Sequence, residues 1–193
     1  MLNKNNFVRS LGLAFTLLVL GAVPALADAV VVVGNTTGGP TYNRTLAGTP
    51  PGALSAVGTA VSYSLVQLTV GTSGSYTFLS TTTGAYDPFL ALYQNSFNPA
   101  SALTNVLVAN DDLTAGNLNQ SGFTINLTAG TTYFAIQSGF ANTDFGAFTL
   151  NISGPGIITV VGANPVPEPA TMLLLGSGLA GLAAKLKRRR KTA

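Results

Sequence analysis

Gly122-Phe123-Thr124-Ile125-Asn126-Leu127 and Ala147-Phe148-Thr149-Leu150-Asn151-Ile152-Ser153 follow one rule: every second residue is apolar, and small or polar residues fill the gaps. A side-chain period of two describes a strand with one face packed and the other in water. No stretch between residues 28 and 162 carries a long helical repeat, so these two runs set the class as all-β. Outward from them, runs rich in Val, Ile, Thr, Tyr and Phe recur at 30–33, 42–46, 61–70, 74–80, 89–93, 106–109, 132–138 and 157–161. Gly, Pro, Asn and Ser separate these runs, the pattern of a sandwich or barrel. The run 61–70 changes phase, since Val61, Tyr63 and Leu65 give way to Val66, Leu68 and Val70; a bulge or a strand that switches sheets would explain it. Residues 46–58, with Pro50, Pro51 and Gly52, read as a loop.

The ends of the chain have a different composition. Residues 1–27 combine Lys4 and Arg9, an apolar stretch at 11–20 and the small-residue pattern Ala25-Leu26-Ala27. They read as a secretory signal peptide that signal peptidase cuts after Ala27, with Pro24 keeping the approach to the cut extended. At the other end, a Pro-rich linker at 163–169 precedes an apolar segment at 170–186, which is followed by a basic tail at 187–193. Seventeen residues at about 1.5 Å each reach roughly 25 Å, the short limit of a transmembrane helix. Lys187, Arg188, Arg189, Arg190 and Lys191 then hold the terminus in the cytoplasm by the positive-inside rule, with the rest of the chain facing outward. The region 28–162 is one domain.

Charge and composition exclude several functions. The chain has a formal net charge of +3 and a sequence pI near 9.4, but eight of its nine basic residues lie in the two end segments. Residues 28–162 hold one cation, Arg44, against Asp28, Asp87, Asp111, Asp112 and Asp144. The global pI is therefore no sign of nucleic-acid binding. The chain has no Cys, His or Trp. This removes Ser-His-Asp and Cys-His catalysis, the common zinc sites and the tryptophan platform for sugars, and the reading is non-enzymatic. An exported domain without disulfides must be held by burial, hydrogen bonds or bound ions.

The three-part C-terminal segment resembles the PEP-CTERM sorting signal of bacterial surface proteins. The match runs through Pro167, Glu168 and Pro169, preceded by Val166. Each proline disfavours a helical residue before it, so 166–168 should be extended and open to a protease. The resemblance implies transient residence in the inner membrane and processing by an exosortase. It also implies a mature form at the cell surface or outside the cell, associated with exopolysaccharide or biofilm.

Residues 42–154 are similar to the pre-peptidase C-terminal type of bacterial β-sandwich. The motifs are Gly74, Tyr76 and Phe78, then Asp87, Leu90, Leu92 and Tyr93, then Asn110, Asp111 and Asp112. This likeness implies an antiparallel, jelly-roll-like sandwich serving as an accessory or adhesive module. Among these residues, Asp87, Asn110, Asp111 and Asp112 offer the hard oxygens that Ca2+ takes. Short polar residues also close their own turns, and Asp87 before Pro88 fits a turn into a strand, so both readings stand. A calcium-dependent carbohydrate-binding module or adhesin is the second functional reading.

Overall fold

The computed structural model describes residues 28–82 and 86–161. The expected signal peptide with Ala25 and Ala27, the sorting residues at 166–169, the transmembrane helix at 170–186 and the basic tail all lie outside the described residues. Among the described residues, no helix is long and apolar enough to cross a membrane.

The strands are β1 (Asp28–Asn35), β2 (Thr41–Tyr42), β3 (Val61–Val70), β4 (Gly74–Thr82), β5 (Pro88–Gln94), β6 (Val106–Asn110), β7 (Gln120–Leu127), β8 (Thr132–Gly139), β9 (Ala147–Gly154) and β10 (Ile158–Val161). One sheet has the order β1-β9-β4-β7; the other has β10-β3-β8-β5-β6, with β2 beside β3. All pairings are antiparallel. From β3 onward, every connection except that from β5 to β6 carries the chain to the other sheet. The fold is an all-β antiparallel sandwich, as the alternating runs predict.

Two apolar layers follow from the alternation. Between the sheets lie Val66, Leu68, Val70, Tyr76, Phe78, Leu90, Leu92, Leu150 and Ile152. The second layer, with Tyr42, Val61, Phe89, Ala91, Tyr93 and Ile136, lies on the outer face of the larger sheet. The central strand β5 is consequently buried on both faces, and its sequence is apolar almost without a break. The segments 43–60 and 95–105 cover that outer face. Tyr93 Oη donates to the Ala102 carbonyl at 2.9 Å, and Gly48 exchanges backbone hydrogen bonds with Ala109, each at 2.9 Å. Tyr42, Tyr63 and Phe97 meet edge to face, with ring centroids 5.2 to 5.4 Å apart.

Two expectations are corrected here. The phase change in 61–70 is not a bulge, because β3 pairs continuously with β8 from Tyr63↔Ser138 to Thr69↔Thr132. Instead, the two halves of β3 bury opposite faces: Val61 packs under the covering loops, while Val66, Leu68 and Val70 point into the sandwich. The register irregularity lies between Leu92 and Tyr93, where β5 meets β6. The strand expected at 42–46 stops at Tyr42, and only an isolated bridge, Thr45↔Leu54, follows. There the chain leaves β3 to cross the outer layer, and Arg44 turns inward.

Candidate metal centre

At one end of the larger sheet, the turn before β5 meets the turn after β6. Asp87 precedes Pro88, and its carbonyl accepts the Phe140 N–H at 2.9 Å. Asp111 and Asp112 follow Asn110, the last residue of β6. Since Leu90 pairs with Asn110, the residues just beyond this pair bring Asp87 and Asp111 to the same corner. Asp87, Asp111 and Asp112 each offer a carboxylate oxygen, and the three atoms lie within 4.8 Å of one another. Oxygens around one Ca2+, at about 2.4 Å from the ion, are spaced no farther apart than about 4.8 Å. In all three residues Oδ1 is buried and has no hydrogen-bond partner.

The sequence grouped four residues, and the structure places carboxylate oxygens of three of them, Asp87, Asp111 and Asp112, together. Asn110 pairs across the sheet with Leu90, whose side chain belongs to the inner core, and its own Oδ1 is also buried without a partner. The turn chemistry is present as well, since Asp112 Oδ2 accepts the Gly116 N–H at 3.0 Å. Asp144 closes its own loop, with Oδ2 accepting the Ala141 N–H at 2.8 Å.

Arg44 is the functional neighbour that sequence reasoning missed. It is 2% exposed, with its guanidinium carbon 4.2 Å from the centre of the Phe89 ring and 4.6 Å from that of Phe140. Its Nε donates to the Phe140 carbonyl at 2.8 Å, and Nη1 to the Thr45 carbonyl at 2.9 Å. Its one signal in the sequence was its isolation as the single cation of the domain.

The electrostatics reflect crowding of like charge. Burial, followed by the charges of Asp111, Asp112 and Asp144, pushes the Asp87 carboxyl up to about 6, while Arg44 pulls it back. Burial also raises Asp111, and Arg44 opposes that shift. Burial lowers the Arg44 guanidinium, with Asp111 the leading charge that holds it up. Three carboxylates with one nearby cation leave an excess of negative charge and unused oxygens, the condition a hard divalent cation relieves.

Residues 165–190 match the PEP-CTERM protein-sorting motif. The chain carries an exosortase sorting signal. The PEP-CTERM motif marks an exported protein of the cell surface or exterior that an exosortase processes. No curated protein matches the chain in sequence.

Among solved structures, the pre-peptidase C-terminal domain of a Bacillus anthracis collagenase is similar, with a TM-score of 0.37 and 14% identity over 57% of this chain and 89% of that one. The CBM35 of Abf62 from Cellvibrio japonicus gives 0.38 and 12% over 71% of this chain and 100% of that one. The K3 cleaved adhesin domain of Lys-gingipain from Porphyromonas gingivalis W83 gives 0.32 and 22% over 66% of this chain and 98% of that one. At these scores and identities, no ligand or activity carries across to this chain.

Proposed function

We propose that this chain is a non-enzymatic matrix protein. In this reading, signal peptidase cuts after Ala27, and the span 170–186 holds the protein briefly in the inner membrane with its basic end in the cytoplasm. An exosortase then acts at Val166, Pro167, Glu168 and Pro169, and the sandwich remains at or beyond the cell surface in association with exopolysaccharide. The PEP-CTERM motif at 165–190 carries this reading. It begins shortly after β10 ends at Val161, so processing there would separate a sandwich from its anchor. The absence of His and Cys from the sequence supports a non-catalytic role. Fractionating a host that makes the full chain tests the proposal. The protein should co-purify with the matrix and move to the medium when polysaccharide synthesis is deleted. Unchanged matrix retention without the polysaccharide refutes the association.

The Asp87, Asp111 and Asp112 cluster favours a second reading, a calcium-dependent carbohydrate-binding module or adhesin. Here the cation would tie two turns together and stand in for disulfides. Titrating the protein with calcium, and then with the host polysaccharide with and without a chelator, tests it. Polysaccharide binding that ignores the chelator overturns the calcium dependence.

A further inference from the structure

Among the described residues, β1 lies at the end of its sheet and is hydrogen-bonded there only to β9. Strands at sheet edges present unpaired N–H and C=O groups, and natural proteins guard them with lysine, proline, inward charges, bulges or covering loops. Two other edges in this sandwich have such guards, since Gly48 caps β6 at Ala109 and β10 is four residues long, while β7 receives the Leu113 N–H at its first residue, Gln120. β1, Asp-Ala-Val-Val-Val-Val-Gly-Asn, has no lysine or proline. Its single charge, Asp28, is occupied at the strand's start, where the carboxylate accepts the Ala29 N–H at 3.0 Å and the Ile158 N–H at 2.9 Å. Val31 is 37% exposed and Val33 66%.

The hydrogen-bond alternation shows which groups face outward. Thr36 N–H donates to the Gly146 carbonyl at 2.9 Å, and this pair continues the Asn35↔Ala147 register. In an antiparallel ladder, hydrogen-bonded pairs recur at every second residue, so Gly34, Val32 and Val30 turn their backbone groups toward β9. Ala29, Val31, Val33 and Asn35 turn theirs toward the open edge.

We propose that this edge docks a second copy of the chain, with the two β1 strands pairing antiparallel about a two-fold axis at Val32. In that register Val31 meets the other copy's Val33, and Ala29 meets its Asn35. All four outward residues thereby gain backbone partners, and the exposed valines cover each other. The charges fit a copy as well: Asp28 falls opposite the neutral Thr36, away from the other Asp28. The interface is isologous and closed, and it makes one continuous sheet from the two smaller sheets. This inference does not depend on the calcium or polysaccharide readings.

The chain has no cysteine, so a single introduced thiol reports the pairing. At the axis, Val32 would face its copy in a non-hydrogen-bonded pair about 4.5 Å apart between Cα atoms, within disulfide reach. Full chain carrying Val32→Cys should form a covalent dimer under mild oxidation in membranes and in detergent, while Thr124→Cys on β7 should not. Val33→Lys, with native cysteine-free sequence elsewhere, should convert the dimer to a monomer by light scattering while keeping the β-sheet circular-dichroism spectrum, and its melting temperature should no longer rise with protein concentration. A monomeric unmodified chain overturns the proposal, as does a dimer indifferent to Val33→Lys. Cross-linking through Val31→Cys in place of Val32→Cys overturns the register.

Discussion

The guanidinium carbon of Arg44 sits 4.2 Å from the centre of the Phe89 ring and binds the sheet's cover to its outer layer. Arg44→Ala removes two hydrogen bonds to carbonyls and two ring contacts, and it leaves Asp111 without its nearest countercharge. The expected loss is about 3–5 kcal/mol in chemical denaturation. Arg44→Lys should recover little, because an ammonium can neither stack flat between rings nor reproduce the planar fork. A loss below about 1 kcal/mol for Arg44→Ala would show that the cover is held by other contacts.

Asp111→Asn should act with opposite signs in the two ionic conditions. With a chelator present, it removes one of three crowded charges and should raise the melting temperature. In calcium, the unmodified protein gains stability with ligand concentration, roughly 2.7 kcal/mol at one hundred times Kd, and the variant should lose most of that gain. Parallel thermal scans with EDTA and with calcium check both. An unmodified melting curve that ignores calcium removes the metal reading.

Alkali should open the outer layer first. Burial is the main cause that pushes the Tyr42 phenol up to about 12, and burial also raises Tyr93. Each phenol is neutral when folded and ionises more readily when unfolded. Their contribution is therefore fully present below the ordinary phenol value of 10.0, and that of Tyr42 is lost as pH rises toward about 12. Tyr42 alone accounts for on the order of 2–3 kcal/mol. Phenolate absorbance should rise together with loss of structure in that window, and Tyr42→Phe should move the transition to higher pH.

Two glycines separate packing from chain flexibility. A Cβ on Gly139 would collide with the Asp144 backbone carbonyl, whereas one on Gly52 meets nothing within 4 Å. Gly139→Ala should therefore cost several kcal/mol, and Gly52→Ala should be neutral within about 0.5 kcal/mol. Urea midpoints of the two variants make the comparison. Equal midpoints would mean that the loop 140–146 shifts freely.

For the sorting tail, Glu168→Ala should leave the full chain in the inner-membrane fraction, and deletion of the host exosortase should do the same. Normal release in both cases would mean that the tail is not read there.

The strands were legible because alternation is a local signal. Phe148, Leu150 and Ile152 announce β9 without reference to any other residue, and the structure extends that strand by one residue. Burial on both faces was harder to read. A strand such as β3 that switches the face it buries looks like a bulge until the covering loop is known, because 61–70 alone does not reveal what lies above Val61. The carboxylates were legible by type, and the neighbouring turns of β5 and β6 brought Asp87 to Asp111. Asn110 was grouped with them by adjacency in sequence, and its Oδ1, like theirs, is buried without a hydrogen-bond partner. Arg44 fell within the strand expected at 42–46, where alternation says nothing of a buried cation, and only the three-dimensional placement of Phe89 and Phe140 reveals its burial.

Arg44 is the one Lys or Arg between residues 28 and 161, and it is buried. The sandwich thus shows the outside world no cationic side chain. An acidic polymer would find no Lys or Arg side chain to hold and would be repelled at low salt. A partner polysaccharide must then be uncharged or reach the protein across a shared divalent ion, so the ionic make-up of the surroundings, more than any side chain, would decide what this surface keeps near it.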